Sequence, residues 1–203
     1  MGSLFPDIPV PQESVPAVDT DLTTRHAALL AKVRKRKAQV SAFEQFLANE
    51  TTWLSAPAST RFHLCQPGGL LIHSIGVAET LLKLRAALYP QLSEESCVIV
   101  ALYHDVGKVG LPGQPYYIEN SNEWMREKKG VQYMVNPGLV HLDIPTRSLY
   151  LISKYIDLTP EEVQAIRYHD GQYVEGNRDV AHRERPLTLL LQYADNWTAS
   201  VLE

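Results

Sequence analysis

Four of the seven histidines, His73, His104, His141 and His169, stand beside apolar helical stretches rather than on charged surface. A single imidazole on an apolar face is usually a core histidine satisfied by a neighbour, so position and company matter more than number. His104 and Asp105 form a dyad directly after CVIVALY, which delivers two ionisable groups to the inner end of a buried helix. Burying them without partners would cost several kcal/mol. Asp195 lies within LTLLLQYADNW and must likewise be paired or bound to metal. Arg183, Arg185 or a helix end could supply that pairing. Together His73, His104, Asp105 and Asp195 offer two imidazoles and two carboxylates from three helices, a set suited to a hard or borderline divalent ion in near-octahedral coordination with water completing the shell.

The elements that must carry these residues are helical. Leu22, His26, Leu29, Leu30, Val33, Val40, Phe43 and Leu47 recur at helical spacing and predict one long amphipathic helix to about Asn49. Its basic run, Lys32 and residues 34–37, falls on the opposite face and reads as solvated rather than as a nucleic-acid contact. Gly68 and Gly69 precede a second helix from Leu70 to about Tyr89, closed by Pro90. Ser93 is a plausible N-cap for a third, with Glu94 and Glu95 in its first turn, running through His104-Asp105 to Gly107. Residues 110–143 have no clear period and predict a long irregular excursion, of the kind that often serves function. Pro145 opens a fourth helix, Thr146 to Ile156. Thr159, Pro160 and Glu162 combine an N-cap, proline at the first position and a capping-box glutamate for a fifth helix to His169, stopped by Gly171. Pro186 opens the last. No β-alternation is sustained, so the fold class is all-α, a bundle of about six or seven helices.

Composition narrows the class. At 203 residues, 45% hydrophobic and 21% charged, the chain has an ordinary globular balance, read as one domain over 21–203 behind an extended or disordered arm, 1–20, that holds Pro6, Pro9, Pro11 and Pro16. The longest apolar stretches, Cys97 to Tyr103 and Leu187 to Leu191, fall far short of the roughly 18 to 20 residues of a membrane span, and the first residues carry no secretory pattern. No membrane partner and a cytoplasmic location are the expectation. Cys65 and Cys97 form no CxxC pair, so metal must be held by histidine and carboxylate. The formal charge of -4 disfavours coating of nucleic acid and leaves small anionic substrates easier to accommodate.

The order H, HD, D, as His73, His104-Asp105 and Asp195, within GGLLIHSIGVAE, ALYHDVGKVG and LLLQYADNW, resembles the HD-domain superfamily of metal-dependent phosphohydrolases over residues 61–203. The segments PYYIEN, RSLYLISKYIDLTPEEVQAIRYHDGQY and AHRERPLTLLL are further similar to a largely uncharacterised bacterial and phage subgroup of HD hydrolases. The resemblance implies an all-α HD bundle in which His73, His104, Asp105 and Asp195 hold one divalent ion (Mn, Mg, Fe, Ni, Co or Zn). It also makes His169 and His141 candidates for a second ion or for substrate. Many relatives place a histidine three residues before the serine matching Ser148, where this chain has Pro145.

Lys108, just past the dyad, and Arg61 and His63, just before the paired glycines, are suited to gripping phosphate oxygens. Lys108 could equally serve as a cation at a helix C-terminus. Arg147 and Arg167 read as helix-surface salt-bridge partners. Tyr116, Tyr117 and Trp124 could line a base-stacking lid or simply pack a long loop. The function implied is hydrolysis of a phosphate ester or anhydride by metal-activated water, with Asp105 as ligand and orienter of the water. The expected partner is a small-molecule phosphate, a nucleotide or a nucleic-acid end, with self-association through the arm and first helix as a further option. The rival readings are a di-iron oxygenase of the same fold and a non-catalytic nucleotide-binding sensor.

Overall fold

The computed structural model describes residues 20–203; the expected arm at 1–20 lies, but for Thr20, outside them. Eight α-helices follow in order: α1 (Thr20–Leu30), α2 (Lys37–Glu50), α3 (Gly69–Leu88), α4 (Glu94–Tyr103), α5 (Glu123–Lys129), α6 (Ile144–Ile152), α7 (Pro160–Arg167) and α8 (Pro186–Trp197). A π-helical turn, Thr198–Leu202, continues α8. The all-α expectation holds, and no helix among the described residues is long and apolar enough to cross a membrane.

The extra helices have two sources. The predicted helix from 22 to 49 breaks in two, because the chain turns at residues 31–36 to bury Val33 and to offer the N–H groups of Arg34 and Lys35 to Glu95, each at 2.7 Å. The basic run is therefore only in part a solvated face: Arg34, Lys35 and Lys37 are exposed, while Lys32 and Arg36 are drawn into ion pairs. Lys32 pairs with Glu94 at 2.9 Å, and Arg36 binds Glu95 at 2.8 Å and the fully buried Glu162 at 2.6 Å, tying α2 to the N-termini of α4 and α7. The excursion at 110–143 is also more ordered than its composition suggests. It folds into strands β1 (Tyr117–Glu119) and β2 (Tyr133–Val135), paired antiparallel with Tyr117 opposite Val135, around α5. Three-residue strands are too short for an alternation to register.

The core is built on α3 and α4. Leu70, Ile75, Val77, Ala78 and Leu81 of α3 pack against α4, whose residues from Cys97 through Tyr103 are all fully buried. Burying such side chains contributes about 1.5–3 kcal/mol each. Ser93 caps α4 as its sequence predicts, accepting from the Ser96 N–H at 3.2 Å, and Thr159 and Glu162 complete the capping box of α7. Beyond α4, a 3-10 turn at 106–109 packs onto α6. Gly107 makes this possible: a Cβ there would lie 2.4 Å from the Ile144 carbonyl oxygen, and its N–H instead donates to Ser148 Oγ at 2.8 Å. The turn thereby fixes the direction of the preceding Asp105. The helix α8, which carries Asp195, packs against both α3 and α4.

Candidate metal centre

Each imidazole enters the site with one ring nitrogen already engaged. His104 is the C-cap of α4, where its Nδ1 reaches the Ala101 carbonyl at 2.8 Å. His169 follows the end of α7, two residues earlier than its helix was expected to run, and its Nδ1 reaches the Ile166 carbonyl at 2.8 Å. A carbonyl can only accept, so both rings carry their Nδ1 proton and turn Nε2 inward. His73, on the buried face of α3, has Nδ1 3.1 and 3.2 Å from the two carboxylate oxygens of Glu203.

The three Nε2 atoms converge on two carboxylates. His73 Nε2 lies 3.1 Å from Asp195 Oδ1 and 3.9 Å from Asp105 Oδ2. His104 Nε2 lies 3.7 Å from Asp195 Oδ1 and 3.6 Å from Asp105 Oδ2. His169 Nε2 lies 3.5 Å from Asp105 Oδ1. His104 Nε2 is buried with no hydrogen-bond partner among the described residues. An orphaned imidazole nitrogen facing two carboxylates is costly unless something else binds there. The spacing of these atoms suits a shared ion bonded at about 2.0–2.4 Å. Among the described residues three sets of donors lie within 4.8 Å of one another: His73 with His104 and Asp195, His104 with Asp105 and His169, and His63 with His73 and Glu203. Burial opposes charge on His73, but the bonds from Asp195 and Glu203 outweigh it and raise its pKa to about 9. The same competition, between burial and the bond to Asp105, raises His169 to about 9. Burial likewise opposes ionisation of both aspartates, yet Lys108 and the imidazoles hold Asp105 well below the usual carboxylate range, as His104 and His73 do Asp195.

The expected residues therefore divide. His73, His104, Asp105, Asp195 and His169 come together, and Asp195 takes imidazole partners rather than Arg183 or Arg185, the latter pairing with Glu161 at 2.9 Å. Lys108 sits at the rim with Nζ 2.6 Å from Asp105 Oδ2, and that charge outweighs burial to keep the ammonium charged. His63 lies nearby, its ring 5.3 Å from that of His73, with burial and the neighbouring His73 lowering its pKa. His141 is exposed and joins no ligand group among the described residues, because it falls in the surface stretch before Asp143, which caps α6. Arg61 is exposed too, with its guanidinium over the Phe62 ring, outside the cluster.

Arg147 corrects the expectation of a surface salt bridge. It is almost fully buried, donates to the Gly107 and Leu142 carbonyls at 3.1 and 2.8 Å, and lies over the Tyr116 ring at 4.7 Å, so it braces the turn after the dyad. Arg167 does pair with Asp143, at 3.7 Å. Tyr116 is thus a packing partner of Arg147, and Trp124 is exposed beneath Lys129. A cleft of about 790 Å³ does open beside the centre, with His169 and Asp195 in its wall, but its aromatic rings are Tyr173 and Tyr193. Reading the sequence missed both. Tyr193 lies two residues before Asp195, and Tyr173, 95% exposed, sits in a 3-10 turn with no periodic signal.

A family model of the HD domain matches residues 70–197, which spans His73, the His104-Asp105 dyad, His169 and Asp195. The chain belongs to the HD domain family. That family falls within a superfamily of metal-dependent phosphohydrolases, whose members are generally hydrolases that bind divalent metals. No curated protein and no solved structure matches the chain.

Proposed function

We propose that this HD domain is a phosphohydrolase for a small phosphate ester of nucleotide size, with His73, His104, Asp105 and Asp195 as the ligands of a divalent ion. The observation that carries the reading is the convergence of three inward Nε2 atoms on two ionised carboxylates, with each Nδ1 already engaged. A divalent ion held there supplies Lewis acidity toward a phosphoryl oxygen and lowers the pKa of water. His169, on the Asp105 side, serves a second ion or the substrate.

The chain's own residues divide the remaining work. Lys108 spends one N–H on Asp105 and has two more donors to place on a phosphoryl oxygen, while His63 flanks the His73 side. Asp105, fixed by the Gly107 turn and by Lys108, is placed to orient the attacking water. The cleft takes the organic part, with the Tyr173 and Tyr193 rings as stacking surfaces. Its lining carries the carboxylates of Asp170, Glu184 and Asp195 beside His169, and among the described residues no lysine or arginine joins them. Like charges disfavour additional phosphates there, so a monophosphate fits better than a polyphosphate or a nucleic-acid strand. A di-iron oxygenase needs a fuller set of imidazoles, and the exposure of His141 removes one of them.

The test is phosphate release with Mn²⁺ from a panel holding the mono-, di- and triphosphate of each nucleoside and a 5′-phosphorylated oligonucleotide. The reading expects turnover, highest on a monophosphate. No release from any phosphate ester with any divalent ion refutes it.

A further inference from the structure

The environment of His73 differs from that of its two companions. His104 and His169 each find a backbone carbonyl three residues earlier for Nδ1, which a residue at a helix end can do. His73 lies inside α3, where the preceding carbonyls are engaged in the helix ladder, so its Nδ1 needs an acceptor from elsewhere in the chain. Glu203 supplies it, 130 residues away, with both oxygens in range and a side chain only 8% exposed. Three features deliver it. The chain leaves α8 through the π-helical turn, where the Glu203 N–H reaches the Thr198 carbonyl at 3.1 Å. Thr198 Oγ1 anchors that turn to Thr80 Oγ1 of α3 at 3.2 Å. Gly76, one helical turn beyond His73, leaves the space: a Cβ there would stand 3.0 Å from Thr198 Cγ2 and 3.8 Å from Glu203 Oε1.

We infer that Glu203 is the positioning residue of the metal centre, accepting the Nδ1 proton of His73 so that the Nε2 lone pair is held toward Asp195 and Asp105. The inference rests on the metal-centre reading above. A carboxylate behind a ligating imidazole fixes its tautomer and ring orientation and strengthens it as a donor, and losing such a partner typically weakens metal binding by about 10–100-fold. Glu203 is not a ligand for the same ion as Nε2, since it contacts the opposite edge of the ring.

The experiment is calorimetric titration of the purified chain with Mn²⁺, comparing wild type with Glu203→Gln, Glu203→Met and Glu203→Ala. The amide oxygen of glutamine can still accept from Nδ1, so Glu203→Gln should bind within about 3-fold of wild type, whereas the Met and Ala variants should lose about 10–100-fold. A role confined to packing would spare Glu203→Met, which keeps the length and loses only the acceptor. In ¹⁵N spectra of the Zn²⁺-loaded protein, the His73 Nδ1–H should stay protected in wild type and Glu203→Gln and exchange rapidly in Glu203→Met. If Glu203→Ala fails to fold, the Gln and Met pair still decides. Wild-type affinity in Glu203→Met, or a folded Glu203→Gln that binds no better than Glu203→Met, overturns the inference. A wild-type chain that binds no divalent ion overturns the metal-centre reading itself.

Discussion

A rise in pH should tighten metal binding steeply, and the steepness should count the imidazoles that ligate. Metal ligands must be deprotonated. His73 and His169 are raised to about 9 by their carboxylate partners, so near pH 7 both hold a second proton, on Nε2. Displacing a proton bound two pH units above ambient costs about 2.7 kcal/mol, roughly 100-fold in Kd per imidazole. An imidazole at its ordinary value of 6.5 would cost almost nothing there. Asp105 and Asp195 are already ionised and add no pH dependence in this range. The sign follows: competition is strongest below about 9 and is lost as pH rises through that value. From pH 7 to 8.5 the Mn²⁺ Kd should fall about 10-fold per pH unit if His73 alone gives up a proton, and about 100-fold if His169 does as well. Calorimetry in buffers of different ionisation enthalpy measures the proton number independently. A Kd flat across this range, with no proton released, refutes the carboxylate-held second protons on His73 and His169 from which the steepness is argued.

Asp195→Ala should abolish Mn²⁺ binding, because it removes a carboxylate within 3.7 Å of two of the imidazoles; full occupancy by metal analysis would contradict its role. Lys108→Met should leave metal content intact while lowering kcat/KM by about 10- to 1,000-fold, the scale of a lost donor to a developing phosphoryl charge, and His63→Ala should act likewise with a smaller loss. Wild-type rates in both variants would return these two residues to a structural role. Arg36→Met should leave the buried Glu162 unpaired and cost about 3–5 kcal/mol, or about 6–20 °C in Tm. Burial resists ionisation of Glu162, but Arg36 and the Thr159 N–H hold its pKa below the ordinary 4.5. That stabilisation is full above 4.5 and lost as pH falls through the lower folded value, so the Tm gap between wild type and variant should close in acid.

Much of the helical frame is readable locally. Ser93, the Thr159 and Glu162 capping box and Pro186 mark helix starts because their hydrogen bonds and backbone angles act within one turn. The apolar run from Cys97 to Tyr103 announces an element buried on all sides and so makes the dyad at its end conspicuous. Where the reading went astray, the deciding contact was distant. Glu95 and Glu162 break the first predicted helix from 59 to 126 residues away, and helical periodicity carries no trace of them. Arg147 reads as a surface cation because nothing in its own helix reveals that the Gly107 and Leu142 carbonyls close over it.

The candidate centre divides the same way. The residue types able to hold an ion, and the helices that bear them, are written in His73, the His104-Asp105 dyad and Asp195, since an ionisable group set into an apolar run demands a partner wherever the run is buried. Which partner it receives is a matter of packing. The turn at Gly107 aims Asp105, the ends of α4 and α7 let His104 and His169 use their own backbone carbonyls, and the π-helical turn brings Glu203 to His73. The same packing leaves His141 in solvent and lines the cleft with Tyr173 and Tyr193. Periodicity and capping act over about four residues, whereas the His73–Glu203 contact spans 130, so only the folded chain could decide it.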